Sequence, residues 1–99
     1  MVEFHEAFAG QVLANLEALK SRTLADKEFG GHLVGEIAME KINTLGGSLS
    51  LGHPFGATGA RLVTTAANRL QRGEGKYALL TACADAGLAH SCILEKYEK

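Results

Sequence analysis

The sequence contains no tryptophan, only one proline and two cysteines, and no long uninterrupted apolar run. A membrane span needs about 20 predominantly apolar residues, so no transmembrane segment is expected. The N-terminal stretch lacks the basic-then-apolar pattern of a secretory signal, and two cysteines do not resemble the disulfide framework of a secreted miniprotein. These absences predict a soluble intracellular chain that is not secreted.

A predominance of one charge is lacking as well. Ten Lys and Arg residues face 11 Asp and Glu residues, which gives a formal net charge of −1. Nucleic-acid binding usually needs a basic stripe, so it is disfavoured. The sequence has no CxxC motif and no metal-ligand spacing, so no metal site is predicted.

The chain has 99 residues, of which 46% are hydrophobic, and this length suits one small domain or part of a larger one. No linker or repeat divides it, so we expect residues 1–99 to lie within one domain. Apolar periodicity predicts two main helices, at His5–Lys20 and from Ala57 or Thr58 to about Arg72, and a short helix starting near Thr23. It predicts strands at Val2–Phe4, Ser48–Leu51, Tyr77–Ala84 and Ser91–Tyr97. Strands that alternate with helices indicate an α/β fold.

One segment, GGSLSLGHPFGATGAR at residues 46–61, combines five of the twelve glycines with the only proline. His53 stands between Gly52 and Pro54, and a residue before proline favours an extended backbone. The segment does not match a nucleotide-binding P-loop, because His53 occupies the lysine position of that motif. Spacing alone leaves two alternatives open, a structural turn and a loop that presents His53 for proton transfer.

Cys83 ends the apolar run Tyr77–Ala84, just before a turn at Asp85–Gly87. A thiol at the carboxyl end of an α/β strand is well placed for chemistry, although a buried core position is the commoner fate of cysteine. Cys92 is assigned to the core. His5 either bonds a neighbouring strand or points into a cleft, whereas His32 and His90 have no supporting context.

Three motifs occur in order: HEAFAGQVLAN at residues 5–15, the glycine segment at 46–61 and ALLTACADAG at 78–87. Together they resemble the C-terminal part of the thiolases over nearly the whole chain. The histidine at position 5 makes the sequence most similar to the β-subunits of fatty-acid-oxidation trifunctional complexes. The resemblance implies a partial C-terminal domain of a five-layer α-β-α-β-α fold, with about two main helices and three to four mixed strands.

The resemblance also implies an activity. Thiolases cleave a 3-ketoacyl-CoA with free CoA to give acetyl-CoA and an acyl-CoA shortened by two carbons. In that reaction His53 would activate the nucleophilic cysteine and hold the enolate oxygen, and His5 would complete this oxyanion site. Cys83 would move the α-proton of the acetyl unit. Gly52, Pro54, Asp85 and Gly87 would support the loops, and coenzyme A would act as substrate, with no covalently bound cofactor.

Two departures from the family pattern leave alternatives. The half of a thiolase that carries the nucleophilic cysteine is absent, and Asp85-Ala86 stands where the family has glycines. The chain could therefore be a catalytic segment that works with the missing half or as a homo-oligomer, a non-catalytic module that binds acyl-CoA or a protein, or a truncated fragment without activity of its own. A hydratase/dehydrogenase α-subunit is a further candidate partner, and bacterial cytoplasm and mitochondrion both suit the resemblance.

Overall fold

A three-stranded mixed sheet organises residues 1–98, which the computed structural model describes. Strands β1 (Val2–Phe4), β2 (Tyr77–Ala84) and β3 (Leu88–Glu95) lie in the order β1-β2-β3, with β1 parallel and β3 antiparallel to the central β2. The helices are α1 (Ala9–Lys20), α2 (Arg22–Glu28), the single turn α3 (Ser48–Leu51) and α4 (Gly56–Gln71). Short 3₁₀ turns occupy Met39–Lys41 and Asp85–Gly87. The mixed sheet and the two long helices, α1 and α4, confirm the expected α/β class.

The central strand β2 is apolar because both of its faces are covered. Successive side chains of a strand point to opposite faces, so Ala78 and Leu80 lie on one side and Leu79 on the other. Ala78 and Leu80 pack against Leu62, Ala66 and Leu70 of α4. Leu79 packs against a second cluster, formed by Phe4, Val12 and Ile42 with Leu16 and Leu19 of α1. The two long helices thus sandwich the sheet, as expected for one layered half of a larger α-β-α-β-α assembly.

Two predictions differ from the structure, one in where a helix starts and one in the type of element. The first helix starts at Ala9 rather than His5, because the His5 N–H donates to the Thr81 carbonyl at 2.8 Å and prolongs the pairing of β1 with β2. The alternating Ser-Leu-Ser-Leu pattern at Ser48–Leu51 forms a helical turn instead of a strand. Local hydrogen bonds close this turn: the N–H groups of Ser50 and Leu51 both donate to the Gly47 carbonyl.

The C-terminal hairpin contains both predicted strands, the second of them shifted towards the N-terminus. Strand β2 has the predicted bounds, whereas β3 starts at Leu88, three residues earlier than expected, and ends at Glu95. Pairing continues up to Ala84 opposite Leu88, so the Asp85–Gly87 turn alone separates the strands. The predicted domain ends at Lys99, which lies outside the described residues.

Several large apolar side chains remain on the outside of the chain. Leu88 and Ile93 on β3 are 66% and 69% exposed, and Val63 on α4 is 44% exposed. Over residues 1–98, none of the helices combines the length and the apolar character that crossing a bilayer requires.

Candidate active site

His53 lies in the turn between α3 and α4, and both neighbouring elements restrain it. Gly52 ends α3 at φ 99, a left-handed conformation that favours glycine. The Pro54 carbonyl accepts the Ala57 N–H at 2.8 Å as α4 begins. The His53 Nδ1 atom lies 2.7 Å from the hydroxyl of Thr58, which is buried in the first turn of α4. The tight turn therefore holds the His53 ring against the Thr58 hydroxyl at the start of α4.

His5 follows β1 and approaches His53 from the sheet side. The two ring centroids are 4.2 Å apart, with an interplanar angle of 39°. The His5 side chain is buried, and its Nδ1 atom lies 2.8 Å from the Ser48 hydroxyl oxygen. The fold thus brings together two imidazoles that are 48 positions apart in the sequence. This contact places His53 beside the His5 ring, where it contributes to lowering the pKa of His5.

The position of Cys83 completes the predicted trio. The thiol is half-buried near the carboxyl end of β2 and donates to the Gln11 side-chain oxygen across 3.5 Å. His5, His53 and Cys83 line one cavity of about 810 Å³ between the sheet, α1 and the His53 turn. Cys92 lies in β3 and packs against the α4 core cluster, in accordance with its assignment to the core.

The Asp85–Gly87 turn forms the far rim of this cavity. The Asp85 carboxylate accepts the backbone N–H of Ala86 at 2.8 Å, so it is tied to its own turn. Ala86 and Gly87 have φ values of 61 and 76, which is unusual for alanine and ordinary for glycine. Asp85 and Gly87 therefore line the cavity. Gly52 and Pro54 do not line it but flank His53 in the turn.

The Glu6 carboxylate connects several segments that surround the site through hydrogen bonds. Its carboxylate accepts the Asn43 side-chain amide at 2.7 Å and the Leu49 backbone N–H at 3.0 Å. Asn43 in turn donates to the Phe4 carbonyl and accepts the Phe4 N–H. Glu6 thereby links the end of β1 to the segment that carries Ser48, and this link explains why residues 5–8 do not form the first turn of α1.

Replacing Gly47 with alanine should disrupt this link. A Cβ atom at Gly47 would meet the Glu6 carboxylate, which cannot move without losing its hydrogen bonds. We expect Gly47→Ala to lower the free energy of unfolding by about 1.5–3 kcal/mol, the usual contribution of a hydrogen bond to a charged group. Gly59 in α4 has open space around its Cα, so Gly59→Ala should instead stabilise the chain by about 0.5–1 kcal/mol. Urea unfolding of both variants tests the contrast, and equal effects would contradict the role of Glu6.

The surroundings of His5 predict how stability depends on pH. Burial lowers the pKa of His5, and the neighbouring His53 and Arg61 lower it further, against an opposing effect of Glu6. Because the ordinary histidine pKa is about 6.5, the unfolded chain binds this proton first as the pH falls. The free energy of unfolding therefore holds the full contribution of neutral His5 above that pH. It loses this contribution progressively as the pH falls from the unfolded pKa of His5 to its lower folded pKa. Urea unfolding from pH 8 to 5 should show this decline, and His5→Asn should flatten it.

Four site residues were not predicted from the sequence. Gln11, Ser48 and Phe55 have no signal that marks them, and Thr58 entered the sequence analysis only as a possible start of the second main helix. Phe55 packs edge-on against His53 at a centroid distance of 5.0 Å and has an unusual φ of 23. Strained backbone of this kind clusters at functional sites. Within residues 1–98, no cluster of three or more His, Cys, Asp or Glu side chains could hold a metal ion.

Comparison with known proteins identifies a family that matches this chain. Residues 1–96 match the family described as "Thiolase, C-terminal domain". The chain is 56% identical over 98 residues to the mitochondrial trifunctional enzyme subunit beta of Mus musculus. This match covers 98% of the chain and 21% of the mouse protein. It is 51% identical over 96 residues to a 3-ketoacyl-CoA thiolase of Shewanella amazonensis, covering 96% of the chain and 22% of that protein.

Solved structures agree with the sequence comparison. The crystal structure of human mitochondrial 3-ketoacyl-CoA thiolase superposes with a TM-score of 0.71 at 31% identity, covering 98% of the chain and 20% of the human chain. The acetyl-CoA acetyltransferase of Bacillus anthracis gives the same TM-score at 27% identity, over 98% of the chain and 21% of the bacterial enzyme. The chain spans about a fifth of the length of these relatives.

Proposed function

Because this chain belongs to the thiolase family, as a C-terminal domain, we propose that it is the C-terminal catalytic segment of a thiolase-type acyltransferase. The reaction converts a 3-ketoacyl-CoA and CoA into acetyl-CoA and an acyl-CoA shortened by two carbons. The observation that supports this proposal most directly is the convergence of His5, His53 and Cys83 on one cavity. Since the chain spans about a fifth of its relatives, the nucleophilic cysteine would come from the remainder of such a protein.

In this chemistry His53 first accepts the proton of the nucleophilic thiol and later, with His5, stabilises the enolate, whereas Cys83 supplies a proton. A thiolate supplied by the other half attacks the keto carbon, and the bond between the α- and β-carbons breaks. The electron pair of that bond passes to the acetyl-CoA fragment as an enolate, whose oxygen His5 and His53 stabilise by hydrogen bonding. Cys83 then gives its thiol proton to the α-carbon. Free CoA gives its thiol proton to the Cys83 thiolate and attacks the acyl-enzyme thioester, which releases the shortened acyl-CoA, and the nucleophilic cysteine regains its proton from His53.

The similarity to the mouse protein also suggests partners and a compartment for this chain. The mouse relative is named as the β-subunit of a mitochondrial trifunctional enzyme. An α-subunit with hydratase and dehydrogenase activity is therefore the protein partner that we propose, beside acyl-CoA thioesters and the missing thiolase half. The mitochondrion and the bacterial cytoplasm are the two proposed compartments.

Complementation with the missing half tests the proposal. The purified chain is mixed with the part of the Shewanella thiolase that lies outside the region matched by this chain, and thiolysis of a 3-ketoacyl-CoA is followed. We expect no turnover by the chain alone, turnover by the mixture and its loss in Cys83→Ser, whereas Cys92→Ser should retain it. A stable complex without turnover, or with turnover indifferent to Cys83→Ser, would contradict the proposal. Turnover by the chain alone that requires Cys83 would instead indicate a site with one catalytic cysteine.

One observation favours a second candidate, a thiolase-like module that binds acyl-CoA or a protein without chemistry. The Asp85 carboxylate occupies the Ala86 N–H, so a backbone donor beside Cys83 is already engaged. Calorimetry separates the candidates, because this one predicts saturable binding of CoA or a partner protein by a chain that gives no turnover when complemented. Absence of binding to both would contradict it.

A further inference from the structure

Ser48 and His5 form a buried polar pair next to the proposed oxyanion site. Ser48 is 8% exposed and His5 is 7% exposed, and the distance between the Ser48 Oγ and the His5 Nδ1 is 2.8 Å. Water has little access to either group, so each must satisfy its hydrogen bonding within the protein. The direction of this hydrogen bond then decides which nitrogen of His5 carries the proton.

Arg61 and the available acceptors together favour one direction. Its Nη2 atom lies 3.4 Å from the same Ser48 Oγ, and a guanidinium group can only donate. Within residues 1–98, the side chains in hydrogen-bond range of this hydroxyl are those of Arg61 and His5. The hydroxyl hydrogen therefore has a single side-chain acceptor in this part of the chain, the His5 Nδ1. When Nδ1 accepts, the neutral ring carries its hydrogen on Nε2.

We propose that Ser48, oriented by Arg61, is a positioning residue that fixes His5 as the neutral tautomer with its hydrogen on Nε2. The Nδ1 atom is committed to Ser48, which leaves the Nε2–H group as the ring donor for a bound oxygen. Arg61 and His53 also oppose a positive charge on His5, and the Glu6 carboxylate is the neighbouring group that favours one. The consequence for turnover rests on the proposed function, whereas the tautomer of His5 does not.

Nitrogen NMR of the whole chain tests the tautomer. The four histidines are labelled with ¹⁵N, and the His5 signals are assigned by their loss in His5→Gln. At a pH where the rings are neutral, we expect a protonated Nε2 and an unprotonated Nδ1 at His5. A protonated Nδ1, or a mixture of both tautomers in the unmodified chain, would overturn the proposal without any variant.

Three variants test the role of Ser48. Ser48→Ala removes the donor and should give a mixture of tautomers and a higher His5 pKa, since the hydrogen bond favours the neutral ring. Ser48→Thr keeps the hydroxyl and should retain the single tautomer. Ser50→Ala is the matched control, because the Ser50 hydroxyl bonds to the backbone of Gly47 in the same turn. An unchanged single tautomer in Ser48→Ala would refute the positioning role.

Arg61→Met tests orientation separately from the hydroxyl. The positive guanidinium favours the hydroxyl orientation whose hydrogen points away from it, towards the His5 Nδ1. Without it, the Ser48 oxygen more readily accepts from a protonated Nδ1, so the second tautomer of His5 should gain population although Ser48 is present. In the complemented enzyme, Ser48→Ala should lower kcat about 10-fold and shift the acidic limb of the pH profile upward, while KM changes little. If complementation yields no turnover, the NMR results still decide the tautomer. An unaltered spectrum in Arg61→Met would eliminate the part assigned to Arg61.

Discussion

Replacing His53 with alanine is expected to lower kcat of the complemented enzyme by about 10²- to 10⁴-fold, the usual contribution of a positioned acid or base. The imidazole lies against His5 and the Thr58 hydroxyl, at the mouth of the cavity that Cys83 shares. Its removal would eliminate the group that activates the nucleophile and one donor to the enolate oxygen. Stability should change little, because the His53 side chain is exposed on this chain.

His32→Ala is the matched control for this experiment. His32 is also exposed, and it follows α2, outside the residues that line the cavity. We expect its kcat to equal that of the unmodified chain. Thiolysis rates and urea unfolding are measured for both variants. A His53→Ala enzyme with full turnover would show that the turn presents His53 for structural reasons alone.

The second large effect concerns stability. Arg69 in α4 donates to the Glu3 carboxylate at 2.8 Å and to Glu74 at 2.7 Å. Glu3 lies in β1 with 0% exposure, and one of its carboxylate oxygens has no hydrogen-bond partner within the described chain. Arg69→Met would leave this charge buried without its counter-ion. Loss of one member of a buried pair costs about 3–5 kcal/mol, a large share of the stability of a small domain.

Two further variants separate charge from packing at this site. Arg72→Met changes the same residue type three positions further on, where the side chain is exposed, and should alter the free energy of unfolding by less than about 0.5 kcal/mol. Combining Arg69→Met with Glu3→Leu removes both charges and should recover most of the loss. Urea unfolding measures all three variants. Equal stability of the Arg69→Met variant and the double variant would mean that the buried charge is not the cause.

The sequence predicted best those elements whose own residue pattern marks both their apolar faces and their ends. The run Tyr77–Ala84 has the predicted bounds because both of its faces meet apolar partners, and α4 begins and ends within one or two residues of its prediction. The alternation at Ser48–Leu51 was misleading. A strand and a single helical turn can share that pattern, and the N–H that Leu49 donates to the distant Glu6 carboxylate helps to fix the turn.

The residues of the proposed site also fall into those that the sequence could predict and those that it could not. His53 and Cys83 could be singled out because a rigid glycine-proline turn and the end of a buried strand are local features. The contact between His5 and Ser48 joins segments 43 positions apart, and nothing in either segment indicates the other. Asp85 could be placed at the site, but the return of its carboxylate to the Ala86 N–H depends on the backbone conformation of the turn. Long-range polar contacts are therefore the part that sequence patterns do not specify.

The sheet topology has a consequence for the order of assembly. Strands β2 and β3 are neighbours in sequence, so their hairpin can form within microseconds. Strand β1 must pair with β2 from the other end of the chain, as Val2 does with Leu79, and closing so long a loop is slow. His5 directly follows β1, so it reaches His53 only after this closure. During refolding, the hairpin should thus gain hydrogen-exchange protection before the two imidazoles come into contact.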